Sequence, residues 1–429
     1  MDDIALFMEP GRVGWSRAAE SERPSVPAAR GGMPVNELRI GAIGIGGRGG
    51  LAWRVHDPAQ RVAYVGGADV SERAKERFRR RFAEKHGRAF PADWLTTDYR
   101  ELLARDDVDA VFVCTPDYLH EEHAVAALQA GKAVYLEKPM AITIEGCDRI
   151  LRTAYETGSR LYVGHNMRYF ESILTMKQII DAGEIGDIQA AWCRHFVSYG
   201  GDAYFKDWHA ERRYSTGLLL QKGAHDIDVI HWLAGGYTRR VAGMGRLSVY
   251  DRCGKRPADE PGDASFHVEH WPPLTQQRMN PLMDVEDHSM ILMQLDNGVQ
   301  ASYLQCHYTP DSTRNYTFIG TRGRIENIGD SEGSRVVVYS RRSNGFKVPD
   351  RVHEIGGGMG GHGGSDPRIV QAFIDFVRDG RPPNTSPVAA RYAVAAGCMG
   401  TESLRDGSTP REIPSLDAEL RDYFEQGQH

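Results

Sequence analysis

No apolar stretch among the 429 residues is long enough to span a bilayer. Disulfide signatures are also missing. The six cysteines (Cys114, Cys147, Cys193, Cys253, Cys306 and Cys398) are scattered, with no CxxC and no close pair. That usage predicts reduced, mostly buried thiols in a cytoplasmic protein. No excess of basic charge is present: 52 Lys and Arg face 58 Asp and Glu, a net charge of −6. The balance argues against nucleic acid or a membrane surface as the main partner. Residues 1–34 lack an apolar period, and "GWSRAAESERPSVPAARGGMP" is instead rich in Pro, Ser, Ala, Gly and Arg. With no apolar core the segment does not read as a signal peptide. It is expected to be a flexible arm, or an over-long start upstream of Met33, the alternative being an arm that wraps a neighbouring subunit.

From Leu38 onward short apolar runs alternate with polar, helix-forming stretches. The runs are 39–45, 62–69, 110–115, 133–137 and 160–165, and helices are expected over 71–85, 98–104, 121–130 and 144–157. The runs are continuously apolar rather than alternating, so both faces of the sheet should be covered. That pattern predicts an α/β fold, a doubly wound parallel sheet of Rossmann type over 35–165. A chain of this length is expected to add a second domain, here 166–415, followed by a tail at 416–429. Its strands are longer and come in hairpins, with turns at Asp296-Asn297-Gly298 and Thr321-Arg322-Gly323. This predicts an α/β domain with a large open, mostly antiparallel sheet. Residues 252–284 read as a long loop, and Ser386-Pro387 as the cap and first turn of a helix.

"GAIGIGGRGG" places Gly44-Ile-Gly46-Gly47-Arg48-Gly49 directly after a strand and at the start of a helix. Glycines there allow a tight turn and the close approach of backbone to a pyrophosphate. Asp69 ends the second strand, 20 residues past Gly49. Its carboxylate is placed to accept ribose hydroxyls and to repel a 2′-phosphate. NAD is therefore expected over NADP, with Arg73 close enough in sequence to leave NADP open. A lysine at a strand's carboxyl end, beside an oxidised nicotinamide, feels a positive neighbour and becomes a better proton acceptor. Lys138, in Glu137-Lys138-Pro139, occupies such a position.

Gly44-x-Gly46-x-x-Gly49, Thr115-Pro116-Asp117 with His120, Glu137-Lys138-Pro139 and Gly223-x-His225-x-x-Asp228 occur in that order. In this the chain resembles the Gfo/Idh/MocA oxidoreductases over residues 38 to about 410. The resemblance implies an NAD(P)-dependent enzyme acting on sugars, inositols or related polyols, with subunits associated through the open sheet as dimers or tetramers. It implies that Lys138 lies at the nicotinamide and the substrate hydroxyl, and that His225 is the acid/base. Gly44, Gly46, Gly47, Arg48, Gly49, Asp69, Thr115, Pro116, Asp117, His120, Glu137 and Lys138 are the expected cofactor residues.

One position departs from the family. Many members carry an aspartate four residues before the histidine, where this chain has Gln221. Glutamine bonds a hydroxyl but takes no proton, so charge is expected from Lys222, Asp226 or Asp228, with Asp228 orienting His225. Asp226 and Asp228 alternatively just charge the first turn of a helix. His225 and His231 are six apart and do not share a helix face, so no metal site is expected. Candidate substrate residues are His165, Asn166, Arg168, Arg194, Tyr199, Trp208, His209, Gln221, Lys222, His225 and His362. The last stands in a glycine-rich loop similar to those of the family's NAD-dependent glycosidases. Two alternatives to a dehydrogenase follow. One is a glycoside hydrolase that oxidises, eliminates, hydrates and re-reduces; the basic cluster Arg194, Lys206, Arg212 and Arg213 suggests an anionic sugar such as a uronide or sulfosugar. The other is a non-catalytic dinucleotide sensor, whose relatives tend to lack Glu-Lys-Pro.

Overall fold

A computed structural model describes residues 37–356 and 364–428. The expected N-terminal arm and His362 lie outside the described residues. The first sheet has six parallel strands: β1 (Leu38–Ile43), β2 (Val62–Ala68), β3 (Leu95–Thr96), β4 (Ala110–Val113), β5 (Ala133–Leu136) and β6 (Leu161–Val163). Their order is β3-β2-β1-β4-β5-β6, the doubly wound arrangement expected from the continuous apolar runs. Strand β3, two residues long, is too short to register as a run. The covering helices start where short polar side chains can cap them. Ser71 Oγ accepts from Ala74 N at 3.2 Å ahead of Glu72–His86, and Thr143 Oγ1 from Gly146 N at 3.0 Å ahead of Ile144–Thr157.

The second sheet has nine strands: β7 (Ile188–Phe196), β8 (Thr238–Arg246), β9 (His288–Leu295), β10 (Gln300–Cys306), β11 (Thr313–Gly320), β12 (Arg324–Ile328), β13 (Arg335–Tyr339), β14 (Arg351–Glu354) and β15 (Arg411–Glu412). The order is β14-β13-β12-β11-β7-β10-β9-β8-β15, and every pairing except β7 with β10 is antiparallel. β9 and β10 are joined through Asp296-Asn297-Gly298, and β11 and β12 through Thr321-Arg322-Gly323, as the turn residues predict. Strand β9 alternates: Ile291 and Met293 are buried, while Met290 and Leu292 are 43% and 66% exposed. The buried face packs on the helices Gly223–Ala234 and Pro387–Arg405.

The two sheets are tied together by segments far along the chain. The helix Ser365–Asp379 puts Ile369, Val370, Phe373, Ile374 and Phe376 into one apolar cluster with Ile40, Phe112 and Tyr135 of the first sheet. Residues 416–429, set apart by sequence as a tail, contain the helix Ala418–Glu425, which buries Leu420 and Phe424. The Gln428 amide bonds both backbone groups of Leu161 on edge strand β6, at 2.9 and 2.8 Å.

Candidate active site

A cavity of about 610 Å³ opens where the carboxyl ends of β1, β2, β4 and β5 face the start of helix Gly223–Ala234. The glycine loop forms one wall. Gly44 has φ +80°, and a Cβ there would stand 2.8 Å from the Cys114 carbonyl oxygen. A Cβ on Gly49 would stand 2.0 Å from the Gly44 oxygen. Only glycine fits either position, and the tight turn leaves Gly44, Gly46 and Gly47 facing the cavity. Asp69 lies over the same turn: its Oδ2 accepts from Ile45 N at 3.0 Å and its Oδ1 from Ser71 N at 2.8 Å.

Arg48 and Glu137 also line the cavity, but they engage each other. Arg48 Nε donates to Glu137 Oε1 at 2.9 Å, and Nη1 to both oxygens of Asp366 at 3.0 Å. The pair fastens the glycine loop to β5 and to helix Ser365–Asp379, so their contribution to a cofactor site is architectural. His120 is similarly committed. Its Nδ1 lies 2.7 Å from the Pro139 carbonyl oxygen and its Nε2 2.9 Å from that of Thr115, joining the Thr115-Pro116-Asp117 loop to the Lys138 segment. Thr115, Pro116 and Asp117 all line the cavity.

Among the described residues, four buried polar atoms that belong to the cavity lining have no hydrogen-bond partner: Asp117 Oδ2, Asn166 Oδ1, Gln221 Oε1 and His225 Nδ1. An unsatisfied buried polar atom costs about 1–3 kcal/mol, so such a cluster marks where a ligand completes the bonding. Together with the glycine cradle and Asp69, these atoms fit a nicotinamide dinucleotide and a polar substrate beside it.

Lys138 closes β5, through a cis peptide bond to Pro139. It is half-buried, and its Nζ donates to the Gln221 carbonyl oxygen at 3.1 Å. Burial, then the nearby Lys222 ammonium, pushes its pKa down to about 8. His225 also lines the cavity, its ring 6.5 Å from that of His165. Burial first, then Lys138, Lys222 and Arg314, drives its pKa well below the ordinary imidazole value. His225 is therefore held neutral, and Lys138 is the group whose pKa comes near working pH.

Behind His225 the helix carries two buried aspartates, each claimed by an arginine. Asp226 accepts from Arg314 Nε at 2.9 Å and Tyr303 Oη at 3.0 Å, from Tyr316 Oη, and lies 3.0 Å from His195 Nδ1. Asp228 is forked by Arg168 through Nε and Nη2, both at 2.7 Å. The expected orienting bond from Asp228 to His225 is therefore replaced by the Arg168 pair, because the nearer cation takes both carboxylate oxygens. Arg168 itself is buried, stacked 5.1 Å from the Trp232 ring, and serves the packing rather than the substrate. Asp226 does charge the first turn of the helix, as the alternative has it, but both aspartates are at most 1% exposed and also hold buried arginines. His231 lies 2.7 Å from Thr238 Oγ1. Among the described residues no group of three His, Cys, Asp or Glu is placed to hold a metal ion.

The remaining candidates divide. Asn166, Trp208, His209, Gln221 and Lys222 line the cavity, with Trp208 and His209 stacked at 3.7 Å. Tyr199 stands behind Lys222, its hydroxyl accepting from Nζ at 3.2 Å. His165 is buried beneath His225, 3.5 Å from Asp228 Oδ2 without a hydrogen bond. Arg194 is a correction. The alternation of β7 turns it away from the buried Cys193 and His195, and it bonds Asn315 on the exposed face at 2.8 Å. The rest of the basic cluster is also occupied: Lys206 by Asp202 at 2.7 Å, Arg213 by Glu211 at 2.7 Å, and Arg212 by the Asp284 carbonyl at 2.6 Å. Sequence reasoning missed Arg314, Tyr303 and Tyr316, whose only signal is strand register: Arg314 sits opposite His195.

Residues 38–165 match the Gfo/Idh/MocA profile described as "Oxidoreductase family, NAD-binding Rossmann fold". Residues 177–413 match its companion, "Oxidoreductase family, C-terminal alpha/beta domain". The chain is similar to the 1-carboxy-3-chloro-3,4-dihydroxycyclohexa-1,5-diene dehydrogenase of Comamonas testosteroni, 32% identical over 307 residues that make up 71% of this chain and 65% of that protein. It is also similar to the scyllo-inositol 2-dehydrogenase (NAD(+)) of Bacillus subtilis, 25% identical over 334 residues, 76% of this chain and 84% of that protein. In fold it resembles levoglucosan dehydrogenase solved with NADH and levoglucosan, at TM-score 0.70 and 20% identity, covering 88% of this chain and 100% of that one.

Proposed function

The chain belongs to the Gfo/Idh/MocA family of NAD(P)-dependent oxidoreductases, and on that premise we propose that it is an NAD-linked dehydrogenase of a ring-shaped sugar or polyol. The reaction converts a secondary alcohol and NAD⁺ to a ketone, NADH and one proton. The glycine cradle and Asp69 would hold NAD, which would supply the hydride acceptor for the carbinol carbon. Lys138 takes the hydroxyl proton. Its amine is neutral above about pH 8, so it accepts a proton without an extreme pH. His225, held neutral, bonds the same hydroxyl, and Gln221 holds a neighbouring one without titrating. The names of the relatives, an inositol dehydrogenase and a dehydrogenase of a cyclic dihydroxy compound, favour a ring substrate. Asp69 favours NAD over NADP.

The open face of the nine-stranded sheet carries Met244 at 61% and Leu292 at 66% exposure; an apolar sheet face of this kind suits association with a second copy. All six cysteines are free, as a reducing cytoplasm would keep them.

A single observation carries the proposal: a lysine with its pKa pushed down to about 8 shares one cavity with the glycine cradle, His225 and Gln221. Replacing Lys138 with Met should cut turnover at least ~100-fold, the scale of a lost positioned acid/base, while NAD still binds by titration. Retained turnover would move the base elsewhere.

A further inference from the structure

Lys222 is a cation without an anion. It is half-buried in the cavity wall, one residue after Gln221 and three before His225. Among the described residues no carboxylate lies within ion-pairing distance of it; its ammonium donates to Tyr199 Oη at 3.2 Å and is hydrogen-bonded to the Tyr204 side chain as well. The nearby buried carboxylate, Asp226, is already taken by Arg314 and His195. Its Nζ is flanked by two aromatic faces, 5.6 Å from the Tyr199 ring centre and 5.5 Å from that of Tyr204. Such faces hold an ammonium in place without neutralising it. Among the described residues Lys138, on the same cavity, also has no carboxylate within ion-pairing distance, and its ammonium donates to a backbone carbonyl. Two lysines thus line the cavity, Lys138 from the end of β5 and Lys222 from the facing wall, which also carries the buried, unpartnered Gln221 Oε1.

Lys222 is half-buried, and part of its ammonium's water is replaced by aromatic faces rather than by a carboxylate. The arginines outside the cavity, which first suggested an anionic substrate, are occupied by their own partners. Lys222 is not.

We propose that Lys222, steadied by the Tyr199 hydroxyl behind it, receives a carboxylate carried by the substrate ring, so that the enzyme oxidises a hydroxyl of a carboxylated cyclic polyol. The inference rests on the dehydrogenase reading and names its substrate class. With the carboxylate on Lys222, the ring lies against Gln221 and presents a hydroxyl to Lys138 and His225. The oxidation itself leaves the carboxylate unchanged.

The test compares matched substrates with the NAD-supplied full-length protein: a polyhydroxycyclohexane carboxylate against its primary amide, and a hexuronate against its hexose. The wild type should favour the acid in kcat/KM by at least about 10-fold, up to about 100-fold, the scale of a hydrogen bond to a charged group. Lys222→Met should bring the ratio of acid to neutral close to one, mainly through KM; Lys222→Arg should keep the acid preferred. A wild type that prefers the neutral member, or a ratio unchanged in Lys222→Met, overturns the proposal. Titration of cyclohexanecarboxylate into the NADH-loaded protein decides independently. Binding lost in Lys222→Met and kept in Lys222→Arg supports the carboxylate site; no binding to the wild type, or equal binding to Lys222→Met, rejects it. If no sugar or polyol of either kind reduces NAD while that binding pattern holds, the dehydrogenase reading fails and the anion site stands.

Discussion

The two walls of the cavity are built on opposite principles. The cofactor wall is made of backbone, with glycines where a Cβ would strike a carbonyl oxygen, short loops at strand ends, and one carboxylate folded over the turn. Its residues come in contiguous motifs. The substrate wall is made of buried charge. Its helix exposes Gln221, Lys222 and His225 to the cavity and roots itself through Asp226 and Asp228 in arginines brought from elsewhere in the chain. One wall is specified by what must be absent, the other by pairs that must be complete.

The sharpest way to break the substrate wall is to remove one member of a buried pair. Asp226→Ala removes the carboxylate shared by Arg314, Tyr303 and Tyr316, leaving Arg314 with Asp330 alone, and is expected to destabilise the protein by about 3–5 kcal/mol, the scale of a broken buried ion pair. Denaturant unfolding measures it. A change under 1 kcal/mol would mean that the network is dispensable and that His225 is positioned by other means.

The next contrast separates the two titratable groups. Lys138 has its pKa pushed down to about 8, and His225 stays neutral. The amine must be unprotonated to accept a proton, so kcat/KM for oxidation should rise with pH, bend near 8 and level above it. The reverse reduction should fall over the same range. In Lys138→Met the limb should vanish from the residual activity. A limb near 6.5 instead would return the acid/base role to His225.

On the cofactor wall the expected effect is smaller. Asp69→Ser removes the carboxylate that would repel a 2′-phosphate. The preference for NAD over NADP should shrink by about 10-fold, a loss on the scale of one charged interaction, read by titration with both nucleotides. An unchanged preference would assign discrimination to another residue, with Arg73 next to test.

The same contrast explains what could be read in advance. The parallel sheet, the glycine loop, Asp69 and Lys138 were legible because each is a local pattern: continuous apolar runs, fixed spacings, a lysine at a strand end. The partners of the helix at 223–234 were not. Arg314 is 88 positions from Asp226 and Arg168 is 60 from Asp228, and only the register of β7 against β11 and the path of the chain after β6 bring them there. For that reason Asp228 looked like a partner for His225, Arg168 like a substrate contact, and Arg194 like part of a basic pocket. The alternation of β7 decides the last case: one residue's shift in a strand exchanges the buried face for the open one. His225 lines the cavity, but its neutrality could not be foreseen, since burial first, then the ammonium of Lys138 from another element, holds its pKa down.

Stoichiometry tests the central claim most directly: the full-length protein is incubated with NAD and a carboxylated ring polyol, and NADH is counted against substrate consumed. The account predicts one NADH and one ketone for each substrate lost. Substrate cleaved or released as a leaving group with no net NADH would contradict it, and would make the bound dinucleotide a transient participant in a different reaction.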